Sequence, residues 1–375
     1  MKIQEIEAKS ILRRQKKIDS WFLTHYGMNL YRGCTHNCVY CDGQSEKYRV
    51  EGTFGSTVEV KTNAIELLQK ELNPSRKRKP MPKSFVMLGG GVCDAYQPAE
   101  EKYKLARKTL ELIAEYRYPV HILTKSTLVE RDLDLLQTIN QQTKALVSFS
   151  LSSANDQFSQ IFEPGVPSPS DRLASMQKLK NAGIPCGLFL MPVIPFLSDT
   201  PEEIKNTLHK ACKLGAEYAI FGTMTLKEGR QKDHFMNVLE HHFPELPHQY
   251  DMIYPKGNEW GNSTNTYSHS AHETFNLIAS TYQLPKRIPP SIYQDLISKH
   301  DLVIVILEHL DYLLKLKNQK SPYGYAARSI SRLSTPITTL RRQDLLNLKG
   351  VGPVTAKFIQ EILNTGHCKY YEKLL

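Results

Sequence analysis

Three of the seven cysteines of this 375-residue chain lie within one stretch of eight residues. Cys34, Cys38 and Cys41 follow the spacing C-x3-C-x2-C. Three neighbouring thiols cannot all pair with one another as disulfides, whereas soft thiolates are ligands of iron–sulfur clusters and of zinc. A four-iron cluster would find three ligands here and would keep one iron open to a group other than cysteine. A zinc ion completed by His36 or by a distant cysteine is the alternative.

This cysteine motif, with Tyr40 before its last cysteine, resembles the signature of the radical SAM enzymes. The longer run Asn29–Cys41 and the run Asp94–Glu100 (Asp-x-Tyr-Gln-Pro-x-Glu) are similar to the spore photoproduct lyase family within them. The resemblance covers roughly residues 20–225. It implies a [4Fe–4S] cluster on the three cysteines and S-adenosylmethionine on the open iron. It further implies a 5′-deoxyadenosyl radical that removes a hydrogen atom, and an electron donor such as flavodoxin or ferredoxin.

The composition is that of a chain that can bury a core and that carries excess positive charge. Hydrophobic residues make up 41% and the formal net charge is +10. No apolar run approaches the roughly 18 residues of a spanning helix, and Met1–Lys17 lacks an apolar signal core, so we expect a cytoplasmic protein without membrane contact. The charge favours a polyanionic partner, with a generally basic enzyme as the alternative.

Short apolar strands alternate with helices from Tyr26 to Phe221. After a first strand that leads into the cysteine loop, the predicted strands are Phe85–Leu88, Val120–Leu123, Ala145–Leu151, Cys186–Met191 and Tyr218–Phe221. The predicted helices are Asn63–Leu72, Glu100–Tyr116, Leu128–Ile139, Asp171–Ala182 and one that a capping box opens at Thr200. Six β/α units predict an α/β fold, a partial (β/α)6 TIM-like barrel of the radical SAM type. Chemistry gathers at the carboxyl ends of such strands, where the cysteine loop lies.

Polar residues at the predicted strand ends are the candidates for binding the cofactor. The resemblance implies that the glycine run with Gly89 and Gly90 receives its amino group and that Asp94 contacts it. By position, Lys125 can reach its carboxylate. The serines of the fourth strand share one face, because strand side chains alternate, and would bond the ribose or carboxylate. They are Ser148, Ser150 and Ser152.

Further candidates come with alternatives. Tyr40 lies between two cysteines and is counted with the cofactor contacts. Arg172 either clamps the cofactor carboxylate or pairs with Glu163. Glu100 is expected to cap the following helix, and the run Met191–Pro195 to line the adenine pocket.

Cys93 is the candidate catalytic residue. The resemblance implies that a cysteine near this point returns a hydrogen atom to the product radical. Here, however, the spacing is Cys-Asp rather than Cys-x-x-Asp, and a simple buried thiol is the alternative. Asp42 also departs from the family, in which an aromatic residue commonly follows the third cysteine. Cys186, Cys212 and Cys368 have no motif context and are expected to be structural.

From about Leu284 the pattern is helical, with an apolar helix predicted over Asp301–Leu316. The run Leu345–Ile359 resembles a helix-hairpin-helix motif. Its turn N–H groups and the positive end of its second helix can bind phosphate, which positions a duplex without reading its sequence. The residues assigned to this contact are Lys349, Gly350, Val351, Gly352 and Lys357. A hairpin used only for packing or dimerisation is the alternative.

We therefore predict four parts. The first is a basic arm over 1–20, which is either a solvated helix face or a phosphate contact, and the second is the barrel over 21–235. An irregular, loop-rich subdomain over 236–285 covers the barrel, and a helical domain follows over 286–375. The predicted function is a radical SAM enzyme acting on nucleic acid, most simply a DNA-lesion lyase that binds duplex DNA. Two alternatives stay open. One is a radical SAM enzyme that modifies RNA or a peptide, and the other is a non-enzymatic zinc or iron–sulfur protein that binds nucleic acid.

Overall fold

The computed structural model describes residues 2–48, 54–75 and 81–375. The basic loop that the sequence suggests at 74–80 falls mostly outside these ranges. The strands are β1 Lys2–Ile6, β2 Leu12–Asp19, β3 Thr24–Met28, β4 Tyr31–Arg32, β5 Thr57–Lys61, β6 Phe85–Leu88, β7 Val120–Thr124, β8 Ala145–Leu151, β9 Cys186–Val193 and β10 Ala219–Thr223.

Helices follow most of the strands and form the whole of the C-terminal region. They are α1 Ala64–Leu72, α2 Ala99–Tyr103, α3 Leu105–Glu115, α4 Leu133–Gln142, α5 Asp156–Phe162, α6 Pro169–Asn181, α7 Pro201–Lys213, α8 Arg230–His242, α9 Pro247–Ile253, α10 Asn265–Thr281, α11 Pro290–Tyr293, α12 Lys299–Lys315, α13 Tyr323–Ile330, α14 Arg342–Leu346, α15 Pro353–Thr365 and α16 Lys369–Leu374. Within the described ranges, none is long and apolar enough to cross a bilayer.

The main sheet confirms the predicted α/β partial barrel. Its order is β10-β9-β8-β7-β6-β3-β2, in which β3 and β6 to β10 run parallel and β2 joins β3 antiparallel at the edge. Strands β6 and β8 are buried at every residue, as expected for parallel strands that are covered on both faces. A smaller sheet, β1-β5-β4, flanks the cysteine loop, which follows β4.

Three secondary-structure predictions are wrong. Residues 1–20 hold two strands rather than a helix, because β2 buries Ile18 and leaves its basic residues at the exposed edge of the sheet, where charges are tolerated. The region 236–285 is mainly helical, and its helix α10 packs on α7 and β10 with Phe275 stacked on Phe221. The helix predicted over Glu100–Tyr116 is broken at Lys104, whose φ is +53°.

The predicted apolar helix is α12, and it closes the lower end of the barrel. Its side chains share one hydrophobic cluster with Phe85 and Leu146, near the amino-terminal ends of β6 and β8, and with Tyr218, which directly precedes β10. His309 of α12 bonds the Tyr371 hydroxyl and the Ser20 carbonyl at 2.8 Å each. Burial lowers the pKa of His309 to about 3, so a neutral imidazole bridges the two. The C-terminal helices therefore lie opposite the carboxyl ends of the strands.

Candidate active site

The carboxyl ends of the strands surround a cavity of about 340 Å³. Its lining comes from the cysteine loop and from the residues that end or follow each strand from β6 to β10. They include Cys34, His36, Tyr40, Cys41, Asp42, Gly90, Cys93, Asp94, Lys125, Ser150, Met191, Pro192 and Thr225. The volume lies in the range of small-molecule sites, so the loops after the strands form one pocket of cofactor size.

The three motif cysteines come together beside this cavity. Cys34 and Cys41 line it, Cys38 is buried outside its lining, and all three are free thiols. The Gly43 N–H donates to Cys41 Sγ at 3.3 Å. Burial raises the pKa of Cys38 to about 12 and that of Cys41 to about 11. Their thiolate forms therefore need a compensating positive charge, which a metal centre supplies.

The chemistry of this donor set fits an iron–sulfur cluster. In the described ranges, no group of three or more His, Cys, Asp or Glu side chains is placed so that it could hold a single metal ion. This holds for Cys34, Cys38 and Cys41 as well. A cubane cluster places each thiolate on a different iron and does not require the three sulfur atoms to converge on one ion. Soft thiolates in an odd number, together with an adjoining cavity, suit a cluster with one non-cysteine ligand.

Asp94 anchors the loop after β6 to the end of β7. Its carboxylate accepts from Thr124 Oγ1 at 2.9 Å and from the Lys125 N–H at 2.7 Å, and it lies 3.3 Å from His36 Nε2. Burial acts to raise the pKa of Asp94, but the bonds from His36 and the backbone outweigh it and hold that pKa below its ordinary value. Asp94 thus faces the cavity, yet its oxygens are already engaged by the protein.

Glu163 is the residue that the sequence reasoning undervalued, because it is the centre of a buried polar network. Its carboxylate accepts from Lys125 Nζ at 2.8 Å and from the Tyr40 hydroxyl, and it pairs with Arg172. Arg172, fully buried and outside the cavity lining, also donates to the Ser150 carbonyl at 2.7 Å. Of the two predicted roles for Arg172, the structure has the pairing with Glu163. The network fixes Tyr40 and Lys125, which both face the cavity.

The serines of β8 share a face, as predicted, but they lie at different depths. Ser150 lines the cavity and donates to the Met191 carbonyl at 2.9 Å. Ser148 bonds His121 Nε2 and the Tyr218 hydroxyl, each at 2.7 Å, and it is not part of the cavity lining. Its role as a cofactor contact stays a prediction.

The glycine run after β6 reaches the cavity only in part. Gly90 lines the pocket, whereas Gly89 has φ +83° and packs against the Leu123 carbonyl, where an added Cβ would come within 2.8 Å. Glu100 caps helix α3 as expected, since its carboxylate accepts the Ala106 N–H at 2.9 Å.

Cys93 lines the same cavity as Cys34 and Cys41. Its Sγ lies 3.4 Å from the Gly33 carbonyl and accepts from Gln97 Nε2 at 3.5 Å. Burial raises the pKa of Cys93 to about 12, so the side chain carries its proton at physiological pH. A neutral thiol is therefore available within the pocket.

The hairpin between α14 and α15 has the predicted turn. Gly350 has φ +85° and contacts α13, where an added Cβ would lie 2.7 Å from the Ala326 nitrogen. Gly352 is the N-cap of α15, Val351 is buried, and both Lys349 and Lys357 are exposed. The hairpin belongs to the helical layer below the barrel, away from the cavity.

Comparison with known proteins identifies both regions. The profile of the radical SAM superfamily matches residues 28–211, and that of a helix-hairpin-helix domain matches residues 298–368. An uncharacterized protein of Mycobacterium tuberculosis is 34% identical over 238 residues, which span 62% of this chain and 68% of the relative. The chain belongs to the radical SAM superfamily. As in that superfamily, its cofactors are a [4Fe–4S] cluster and S-adenosylmethionine.

Other relatives of this radical SAM protein extend the comparison. An uncharacterized protein of Methanocaldococcus jannaschii is 32% identical over 229 residues, covering 61% of this chain and 79% of that one. Among solved structures, spore photoproduct lyase complexed with dinucleoside spore photoproduct superposes with a TM-score of 0.54 at 18% identity, over 75% of this chain and 79% of that chain. At this identity, the likeness shows a common fold.

Proposed function

We propose that this radical SAM enzyme acts on nucleic acid as a lyase-like DNA repair enzyme. The observation that carries the proposal is the neutral Cys93 thiol in the same cavity as the cluster cysteines. The helix-hairpin-helix domain supports nucleic acid as the substrate class. The common fold with spore photoproduct lyase supports the lyase-like reaction.

The chain's own residues divide the work as follows. Cys34, Cys38 and Cys41 hold the cluster. When bound, cluster and S-adenosylmethionine supply a carbon-centred radical that removes a hydrogen atom from substrate, with an electron from a flavodoxin- or ferredoxin-like partner. Further proposed cofactor contacts are Tyr40, Gly90, Lys125 and Ser150, which all line the cavity.

Cys93 is the proposed hydrogen-atom donor. Its S–H bond is weak, and its proton is retained because burial disfavours the thiolate. Transfer of this hydrogen atom breaks the S–H bond, forms a C–H bond at a carbon radical of the substrate, and leaves a sulfur radical on Cys93. The nearby Gln97 amide, which donates to Sγ, holds the side chain at the cavity wall.

A base inside a duplex cannot reach a cavity that is ringed by loops. The reacting nucleotides must therefore leave the stack, as in other enzymes that act on bases. The helix-hairpin-helix lies at the other end of the barrel, so it would hold duplex away from the reacting nucleotides. We propose that Lys349, Gly350, Val351, Gly352 and Lys357 supply this contact to the phosphate backbone.

The decisive experiment uses protein purified without oxygen. We expect iron and sulfide in the ratio of one cubane per chain, and 5′-deoxyadenosine on addition of dithionite and S-adenosylmethionine; Cys38→Ser is the control that loses both. When DNA that contains a thymine lesion labelled with a hydrogen isotope is added, the isotope should appear in 5′-deoxyadenosine. A single zinc ion without sulfide would refute the enzymatic account. Cofactor cleavage that responds only to RNA or peptide would move the substrate to that class.

Cys93→Ala tests the donor. The variant should still cleave S-adenosylmethionine, because Cys93 does not ligate the cluster, but it should release products other than the repaired base. Cys212→Ala, at a half-buried thiol outside the cavity, is the matched control. Normal product from Cys93→Ala would remove the donor role.

A further inference from the structure

The rim of the cavity carries exposed aromatic side chains for which the reaction chemistry has no use. Trp260, between α9 and α10, is 64% exposed, and Tyr48, just after the cysteine loop, is 38% exposed. Tryptophan offers a large apolar face whose exposure to water is unfavourable. Such a residue beside a functional cavity therefore indicates a surface that another molecule covers.

Both aromatic residues are joined to the cavity wall. Tyr48 lies beside the cavity residue Asp42, and burial together with the Asp42 carboxylate raises the pKa of Tyr48. Gly261, next to Trp260, accepts the Leu226 N–H at 2.7 Å, and Leu226 follows the cavity residue Thr225. The two rings thus belong to segments that flank the same side of the opening.

Lys47 links these two segments. Its Nζ lies 4.8 Å from the centroid of the Trp260 ring and donates to the Glu259 carbonyl at 3.1 Å. It also pairs with the Glu259 carboxylate at 3.2 Å, and nearby Arg230 pairs with Glu46 at 3.5 Å. Because acidic partners accompany these cations, the rim does not present a strong positive field. Its distinguishing feature is the aromatic face, which favours contact with bases over contact with phosphates.

The position of the C-terminal domain adds a second reason for a contact at the rim. The helix-hairpin-helix lies below the barrel, and strand β8 alone, with seven residues, spans about 23 Å at 3.3 Å per residue. A hairpin held at that distance cannot steady the nucleotides at the opening. A strand entering the cavity therefore needs a contact of its own there.

We propose that Tyr48 and Trp260, with Lys47 packed on the Trp260 ring, form a rim platform whose aromatic rings stack on bases of a single-stranded nucleic-acid segment flanking the reacting nucleotide. The inference rests on the proposed action on nucleic acid and identifies the part of the substrate that is held at the opening. Stacking on aromatic rings tolerates any base, because every base has a π-face. The platform therefore holds the unstacked strand, and the cavity selects the reacting nucleotide.

Tryptophan fluorescence tests the platform in the full-length chain without turnover. The chain has two tryptophans, and the other, Trp21, packs on Arg287 below the barrel. Oligo-dT of about 12 nucleotides, the same strand without bases, and the corresponding duplex are titrated at one fixed salt concentration. We expect oligo-dT to quench Trp260 and the strand without bases to leave its fluorescence unchanged. Binding is followed separately by anisotropy of a label on each strand.

Variants complete the test. Trp260→Ala should weaken oligo-dT binding about 5- to 150-fold, the range for loss of one stacked base. Trp260→Phe should keep most of the affinity, and Leu277→Ala, at a 73% exposed residue of α10, should keep all of it. Oligo-dT that binds by anisotropy without quenching Trp260, or equally to Trp260→Ala, overturns the platform and leaves nucleic-acid action intact. Quenching by oligo-dT without any reaction on lesion DNA supports the platform and counts against the lesion chemistry.

Discussion

The buried pair of Glu163 and Arg172 makes a quantitative prediction for the substitution Glu163→Gln. The change keeps the size of the side chain and removes its negative charge. Arg172 is then left buried with neutral partners only, which include the Ser150 carbonyl at 2.7 Å and the Ser159 hydroxyl at 3.2 Å. Removing one partner of a fully buried ion pair costs about 3–5 kcal/mol, because the remaining charge is uncompensated. We expect a loss of that size in the free energy of unfolding.

The lowered pKa of Glu163 agrees in sign with the expected loss in the free energy of unfolding. Burial alone would raise it, but Arg172 and Lys125 hold the pKa of Glu163 far below its ordinary value. The carboxylate is thus strongly favoured over the neutral acid in the folded chain. A neutral glutamine at position 163 takes the place of that carboxylate.

Urea unfolding of the anaerobic protein, followed by circular dichroism, measures this loss. The matched control is Glu217→Gln, whose partner Lys180 is 37% exposed, so the expected loss is below about 1 kcal/mol. The double variant Glu163→Gln/Arg172→Met should recover part of the stability, because it removes the orphaned charge as well. A loss below 1 kcal/mol for Glu163→Gln, or a double variant whose losses simply add, would refute the reasoning.

Three further predictions concern other parts of the chain. Gly350→Ala should lower the unfolding free energy by about 1–2 kcal/mol and weaken duplex binding, because φ of Gly350 is +85° and the added Cβ would lie too close to the Ala326 nitrogen. Gly352→Ala, which has open space around the added Cβ, should leave stability unchanged. Equal midpoints of the two variants in thermal melts would contradict this. His309 has a folded pKa of about 3 against about 6.5 unfolded, so the unfolded state binds the extra proton and stability falls as pH drops from 6.5 towards 3. His309→Gln should reduce that slope by up to about 1.4 kcal/mol per pH unit in urea titrations, and an unchanged slope would count against the buried neutral imidazole. Cys93, with a pKa of about 12, should react slowly with iodoacetamide at pH 8.5 and about tenfold faster per pH unit above it, as mass spectrometry would show; a plateau near pH 9 would mean an ordinary thiol.

The parallel strands could be predicted from sequence because burial on both faces makes them continuous apolar runs. Phe85–Leu88 and Ala145–Leu151 have the predicted limits. The N-terminal region could not be predicted in this way. Strand β2 is an edge strand whose apolar side is recognisable only once its neighbour β3 is known.

For the candidate site, local sequence predicts which residues gather but not their depth or their partners. Alternation places Ser148 and Ser150 on one face, yet only the pairing of β8 with its neighbouring strands shows that Ser148 bonds His121 and Tyr218. The role of Glu163 depends on groups from three separate segments and has no local signal. Trp260 had none either, because an exposed tryptophan is recognised only by measuring its exposure.

The helix beneath the barrel has a consequence for how this protein could be divided or recombined. Helix α12 contributes Val303, Ile306 and Leu310 to the same apolar cluster that holds the lower ends of the strands. A fragment that stopped at residue 285 would leave Phe85 and Leu146 facing water. The helix-hairpin-helix region is therefore not a detachable module, and a chimera that replaced it would also have to supply a new apolar layer beneath the strands.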